Sequence, residues 1–172
     1  MLAWAKRIPA SGAVLDLGCG SGVPIARALA EAGFAIHGVD ASPAMVDAFR
    51  ARLPHAPVEC ATVGASTFFG RHFDGIVAWG LIFLLAADEQ ARLIDKVSRA
   101  LTPRGTFYFT VPWQVCEWSD ALTGRISRSL GRDAYRDLLA AAAMTIVDEG
   151  DDDGENHYFI AARVAAPRDR LR

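Results

Sequence analysis

The chain has 172 residues, of which 52% are hydrophobic and 22% charged, and 18 Lys and Arg residues against 20 Asp and Glu residues give a formal net charge of -2. This composition excludes intrinsically disordered, collagen-like and disulfide-scaffold proteins. The near-neutral charge argues against a nucleic-acid partner, since nucleic-acid-binding modules normally carry a strong basic excess, and the length predicts a single α/β domain over residues 1–172.

The predicted elements alternate between short apolar strands and amphipathic helices. In chain order, the predicted strands are 13–17, 34–39, 58–61, 73–79, 106–111, 145–148 and 158–164, and the predicted helices are 23–32, 43–53, 88–101 and 133–143. Alternating strands and helices predict right-handed βαβ units, while only a turn at 151–154 separates the last two strands. The sequence therefore predicts a doubly wound, mostly parallel seven-stranded sheet in a three-layer α/β/α sandwich, with a C-terminal antiparallel hairpin.

The cysteines and the apolar segments of the sequence indicate in which cellular compartment the protein resides. Cys19, Cys60 and Cys116 form no CxxC pair and no Cys/His cluster, so we expect free thiols, no metal site and a cytoplasmic location. The first residues lack the apolar segment of a signal peptide, and the longest apolar run, 75–87, is too short to cross a bilayer. No membrane partner is expected, and the sequence leaves the oligomeric state open.

A glycine-rich turn at 18–22 follows the first predicted strand and precedes a predicted helix. An acid, Asp40, stands at the end of the second predicted strand. Glycines let the backbone approach a ligand closely, and an acid in this position usually accepts hydrogen bonds from a ribose. The dinucleotide-binding motif requires a third glycine at the position of Val23. In addition, the carboxylate of Asp16 would repel a pyrophosphate but attract an ammonium group. S-adenosylmethionine carries an ammonium group and a ribose but no phosphate, so these residue types favour it over NAD.

With these features the sequence resembles the class I S-adenosylmethionine-dependent methyltransferases. Residues 14–22 look like the first motif of that family and residues 38–45 like its second, while 73–77 match its fourth-strand pattern and 101–105 the turn before its fifth strand. The resemblance covers nearly the whole chain. It implies a Rossmann-like fold and methyl transfer by in-line displacement to a small-molecule acceptor, with S-adenosyl-L-homocysteine as the product.

The resemblance also implies roles for residues at the carboxyl ends of the strands. Asp16 would lie near the ammonium group of the cofactor, the glycine-rich turn near its methionine part, and Asp40 at both ribose hydroxyls. After the third strand the family usually has an acid, which is absent here, so Thr62 or a backbone group would take its place. Residues 78–80 would lie near the sulfonium and the substrate entrance. The full set of expected cofactor-binding residues is Asp16, Gly18, Cys19, Gly20, Asp40, Ala41, Met45, Thr62, Val63, Ala78, Trp79 and Gly80.

The sequence identifies the substrate-binding residues less clearly than the cofactor-binding residues. Residues 112–130 are expected to form a substrate wall or lid, residues 1–11 a short N-terminal segment, and residues 167–172 a frayed tail. The side chains in this wall or lid that could meet a substrate are Trp113, Gln114, Glu117, Trp118 and Arg125. Trp79, Phe83, Leu84 and Leu85 fit the protein core and a pocket wall equally well.

No catalytic base is identified. The candidates are His37, His55, His72, His157 and Glu117, none of which sits in a diagnostic motif. The acidic run 151–155 lacks the spacing of a calcium loop and is expected to be a solvated hairpin turn. Two alternatives remain beside the methyltransferase: a cofactor-binding protein or subunit without catalysis, and an NAD-dependent oxidoreductase, which Val23 and Asp16 disfavour.

Overall fold

The computed structural model describes residues 1–121 and 124–164. These residues form nine strands: β1 Ala13–Leu17, β2 Ala35–Asp40, β3 Val58–Cys60, β4 Phe73–Ala78, β5 Leu101–Thr110, β6 Val115–Ser119, β7 Ile126–Leu130, β8 Met144–Asp151 and β9 His157–Arg163. Seven of them form one sheet in the order β3-β2-β1-β4-β5-β9-β8. The first five are parallel, while β9 runs antiparallel to both β5 and β8. The predicted mostly parallel sheet with a C-terminal hairpin is confirmed.

Helices cover both faces of this sheet: α1 Leu2–Ala5, α2 Ile25–Glu31 and α3 Pro43–Arg52 on one face, and α4 Ala87–Ala100 and α5 Arg132–Ala141 on the other. Strand side chains alternate between the two resulting cores, as successive residues of a strand point to opposite faces. In β5, Tyr108 packs with the first helix layer, whereas Phe107 and Phe109 pack with the second. The three-layer arrangement is therefore also confirmed.

Local sequence sets where the helices begin. The Ser42 hydroxyl accepts a hydrogen bond from the Met45 N–H at 3.4 Å, and Pro43 is the first residue of α3, where its missing N–H costs nothing. Helix α2 begins only after Pro24, two residues later than the apolar spacing predicts.

Two segments differ from the sequence-based prediction. Residues 102–105, predicted as a turn, belong to β5, but the pairing passes directly from Leu101 opposite Phe73 to Thr106 opposite Gly75. The intervening residues therefore bulge from the ladder. Residues 112–130, for which the sequence predicts a substrate wall or lid and no strand, contain the two-stranded antiparallel sheet β6–β7.

The strand order creates a switch point beside β1. From β1 the chain moves outward to β2 and β3, and then returns to β4 on the other side of β1. In such sheets ligands bind in the crevice at the carboxyl ends of the strands that flank the reversal. The carboxyl ends of β1 and β4 are where the glycine-rich turn and residues 79–80 lie.

The N-terminal segment packs against the first core. Trp4 is buried, and its indole Nε1–H donates to the hydroxyl of Thr106 at 2.9 Å. The predicted frayed tail, 167–172, lies outside the described residues. Among the residues described, no helix is long and apolar enough to span a membrane.

Candidate functional site

The glycine-rich turn is tied to the end of β2. The backbone N–H groups of Gly18 and Cys19 both donate to the carbonyl oxygen of Val39, at 2.8 and 3.1 Å. Gly20 has a φ of +53°, which favours glycine, and a Cβ atom there would meet open space. A Cβ atom at Gly38 would lie 2.8 Å from the Sγ atom of Cys19, so the absence of a side chain in β2 allows the turn to pack closely.

Asp40 joins the glycine-rich turn to the start of α3. Its Oδ2 accepts the Gly20 N–H and its Oδ1 accepts the Ser42 N–H, both at 2.8 Å. A carboxylate offers about four acceptor positions in total. Asp40 therefore holds the turn in place and retains acceptor capacity on both oxygens.

Asp16, near the carboxyl end of β1, is a buried acid with an unsatisfied oxygen. The residue is 2% exposed, and its Oδ2 has no hydrogen-bond partner among the described residues. Burial, and secondly the negative charge of Asp40, raise the pKa of Asp16 to about 8. A buried acceptor without a partner is costly, so the geometry suits a ligand that brings a positive charge or a donor to this carboxyl group.

A cavity of about 350 Å³ lies at the switch point, and six of the twelve expected cofactor-binding residues line it. They are Asp16, Gly18, Cys19, Gly20, Trp79 and Gly80. The structure thus brings together the ends of β1 and β4, which are about sixty residues apart in the sequence.

The other six expected residues do not line this cavity. Asp40 lies beside it, bonded to Gly20, and Ala41 and Met45 are exposed next to Asp40 in the sequence. The hydroxyl of Thr62 is exposed and accepts the Ala65 N–H at 3.2 Å.

Val63 and Ala78 belong to the protein core with the second helix layer. The carbonyl of Val63 also accepts a hydrogen bond from the Lys96 ammonium at 2.8 Å. Both side chains therefore pack inward in this structure, and for either residue only the backbone remains as a way to contact a cofactor.

Eight further residues line the cavity: Val23, Pro24, Ile25, Phe83, Leu84, Thr110, Asp120 and Asn156. Phe83 and Leu84 fitted core and pocket wall equally well in the sequence, and Asp120 lies in the predicted substrate wall, so the other five are the residues that the sequence did not assign to a site. Thr110 ends β5, and its hydroxyl accepts the Gly80 N–H at 2.8 Å, so the rule that ligands bind at strand ends could have found it. Asn156 lies in the β8–β9 turn and carries no such signal. The turn is fastened to β4, since the Trp79 indole N–H donates to Asp152 at 3.1 Å.

A second cavity of about 610 Å³ adjoins the first and shares Phe83, Thr110, Asp120 and Asn156 with it. Residues 112–130 contribute Pro112, Trp113, Gln114, Trp118 and Asp120 to its wall. The remaining lining residues are Val111, Asp151, Glu155 and His157. This cavity lies where the sequence predicts a substrate wall, and the two adjoining volumes could hold a cofactor and an acceptor side by side.

The five candidate bases are distributed unevenly. His157 lines the second cavity, and its Nδ1 lies 2.9 Å from a carboxylate oxygen of Asp151. His37, His55, His72 and Glu117 line neither cavity. Burial, and secondly the positive charge of a neighbouring arginine, lower the pKa of His37.

Across the described part of the chain, no three His, Cys, Asp or Glu residues are grouped as a metal site would require.

Comparison with known proteins places this geometry in context. The model of a family described as a methyltransferase domain matches residues 14–105. A curated relative, trans-aconitate 2-methyltransferase from Methylobacterium radiotolerans, is 29% identical over 155 residues, which cover 77% of this chain and 57% of the relative. The chain thus spans little more than half the length of that relative.

Solved structures share the fold at low sequence identity. The 1,6-didemethyltoxoflavin-N1-methyltransferase of Burkholderia thailandensis, solved with 1,6-didemethyltoxoflavin and S-adenosylhomocysteine bound, is 23% identical with a TM-score of 0.73, covering 91% of this chain and 72% of that one. The CcbJ methyltransferase of Streptomyces caelestis is 20% identical with a TM-score of 0.77, covering 96% of this chain and 88% of that one.

Proposed function

The chain belongs to the methyltransferase-domain family, and from this premise we propose that it transfers a methyl group from S-adenosylmethionine to a small-molecule acceptor. The observation that carries the proposal is the unsatisfied, buried carboxyl group of Asp16 beside the glycine-rich turn. The cofactor has an ammonium group that would supply the missing partner, whereas the pyrophosphate of NAD would bring further negative charge.

The residues around the first cavity fit the other parts of this cofactor. Asp40 retains acceptor positions for the ribose hydroxyls, and open space above Gly20 leaves room for the methionine part. Ala41 and Met45, which are exposed beside Asp40, would pack against the adenine. At the third strand, the backbone around Thr62 and Val63 would replace the missing acid.

Bound S-adenosylmethionine supplies a methyl group that is already activated on a sulfonium sulfur. The protein then has to align the acceptor and exclude water. The acceptor would occupy the second cavity, to whose wall Trp113 and Trp118 of the expected lid contribute. Phe83 and Thr110 line both cavities, so they would lie where the acceptor meets the cofactor. Trp79 and Gly80, at the end of β4, would flank the same point.

A small-molecule acceptor is supported by what is bound or named in the similar proteins. The Burkholderia structure holds 1,6-didemethyltoxoflavin together with S-adenosylhomocysteine, and the curated relative is named for trans-aconitate. The cytoplasmic location and the absence of nucleic-acid and membrane partners remain predictions from the sequence.

Calorimetric titration of the purified protein with S-adenosylmethionine and with NAD tests the proposal. We expect S-adenosylmethionine to bind more tightly, and Asp16→Asn to weaken that binding. Asp47→Asn, an exposed acid on α3, is the matched control and should leave the dissociation constant unchanged. Tighter binding of NAD would refute the proposal. Tight cofactor binding without turnover of any acceptor would favour the non-catalytic alternative.

A further inference from the structure

Acidic side chains outnumber basic ones around the second cavity, where His157 is the one basic side chain among the described lining residues. Its wall carries the carboxylates of Asp120, Asp151 and Glu155, and no Lys or Arg occurs among the described residues that line it. The first cavity adds Asp16 and likewise has no Lys or Arg among its described lining residues. Asp120 already interacts with another group of the protein, so Asp151 and Glu155 are the carboxylates that an acceptor would meet, with no Lys or Arg among the described lining residues.

At least one of these carboxylates is available to a ligand. The side chain of Glu155 has no hydrogen-bond or ion-pair partner among residues 1–121 and 124–164. Asp151 contacts His157 at 2.9 Å, and its side chain is still 68% exposed. Carboxylates at the mouth of a pocket attract cations and make the binding of anions less favourable.

Aromatic side chains form the rest of the wall. Trp113 and Trp118 line the cavity together with Phe83, whose ring centroid lies 5.3 Å from that of Trp118. Aromatic rings stack on flat organic groups, and their faces attract ammonium and other cationic groups. Carboxylates interspersed with aromatic rings are the combination that recognises an organic cation.

Resting on the function proposed above, we infer that the acceptor is an amine-bearing organic molecule with a planar apolar part, and that the methyl group is transferred to nitrogen. The free amine, having released a proton to water, attacks the methyl carbon with its lone pair. The carbon–sulfur bond breaks, its electron pair stays on sulfur, and the products are an N-methylammonium ion and a neutral thioether.

This reaction moves the positive charge from the sulfonium to the acceptor nitrogen and leaves the total charge unchanged. The carboxylates of the second cavity therefore stabilise the product side of the transfer. A carboxylate nucleophile would instead have to enter the same negatively charged pocket before reacting. On this ground the acceptor differs in charge from trans-aconitate, the tricarboxylate for which the curated relative is named.

The test compares an indole amine with an indole carboxylate of similar shape and with trans-aconitate, so that the charge of the ligand is the main variable. Tryptamine, indole-3-acetate and trans-aconitate are titrated into protein saturated with S-adenosylhomocysteine, after calorimetry has established that the cofactor product binds. We expect tryptamine to bind about tenfold more tightly than either anion. With S-adenosylmethionine present, the mass of the amine should increase by one methyl group.

Two variants separate the local charge from the net charge. Glu155→Lys should reduce the preference for tryptamine about fivefold. Asp153→Lys makes the same change of net charge in the same turn but at a residue outside the cavity wall, and should leave the preference intact. Equal or tighter binding of an anion, no binding of the amine, or equal effects of the two variants would overturn the inference. Failure of S-adenosylhomocysteine to bind would instead contradict the proposed function.

Discussion

Replacing Asp16 by asparagine should make the ligand-free protein more stable at neutral and alkaline pH. In the folded protein the pKa of this carboxyl group is raised to about 8, against an ordinary value of 3.8. Because the folded pKa of Asp16 lies above its unfolded pKa, the contribution of this group to the free energy of unfolding is greatest at pH values below the unfolded pKa. This contribution is lost progressively as the pH rises from the unfolded pKa to the folded pKa.

The expected size of the effect follows from these two pKa values. At about 1.4 kcal/mol per pKa unit, the interval from 3.8 to neutral pH corresponds to a loss of about 4 kcal/mol in the free energy of unfolding. Water entering the cavity lowers this cost, so we expect a measured loss of about 2–4 kcal/mol. This is a large share of the roughly 5–15 kcal/mol that stabilises a typical domain.

Urea unfolding of the two proteins without ligand, from pH 5 to pH 9, measures the difference. The free energy of unfolding of the wild-type protein should fall relative to that of Asp16→Asn over this range, because asparagine does not titrate. The exposed replacement Asp47→Asn should follow the wild-type curve. Parallel curves for the wild-type protein and Asp16→Asn would refute the assignment of Asp16 as a buried, unsatisfied acid.

Three further predictions concern cofactor binding. Because Asp16 is mainly protonated in the free protein at pH 7, binding of the ammonium group of S-adenosylmethionine should release nearly one proton, measured from the binding enthalpy in buffers of different ionisation enthalpy. Asp40→Ala should weaken cofactor binding by roughly 1–3 kcal/mol in calorimetry, while Asp47→Ala should not. Gly20→Ala and Gly33→Ala both place a side chain at positive φ in open space. Each variant should lower the free energy of unfolding by about 1 kcal/mol in urea unfolding, but only Gly20→Ala should also weaken cofactor binding.

Each of these predictions has a contrary outcome. A binding enthalpy that is independent of the buffer would mean that the ionisation of Asp16 does not change on binding. An unchanged dissociation constant for Asp40→Ala would count against its role at the ribose. Equal cofactor affinity of the two glycine variants would place the ligand away from the glycine-rich turn.

The proposed cofactor site could be predicted from the sequence because its signals are local. Residues 14–22 and the acid at Asp40 form one continuous strand–turn–helix–strand unit, and the structure confirms the elements of that unit with small shifts at the ends. The cavity beside the unit includes Trp79 and Gly80, since the carboxyl ends of neighbouring parallel strands meet at one edge of the sheet.

The second cavity, the proposed acceptor site, could not be predicted from the sequence, because it is assembled from distant segments. Asn156 and Glu155 reach the second cavity from a turn between antiparallel strands, where no rule about strand ends applies. The β6–β7 hairpin was missed because its side chains alternate only between exposed and partly buried in β6, which leaves no strong apolar pattern to read. The charge of the second cavity thus became visible only in three dimensions.

We propose that the amino-acid end of S-adenosylmethionine binds at Asp16 and its ribose at Asp40. A crystal structure of the protein with S-adenosylhomocysteine would show both contacts. We predict the ligand ammonium within hydrogen-bond distance of the Asp16 carboxylate, the ribose hydroxyls on Asp40, and the sulfur facing the second cavity. A ligand bound elsewhere, or an Asp16 carboxyl group that makes no contact with the bound ligand, would refute these two assignments.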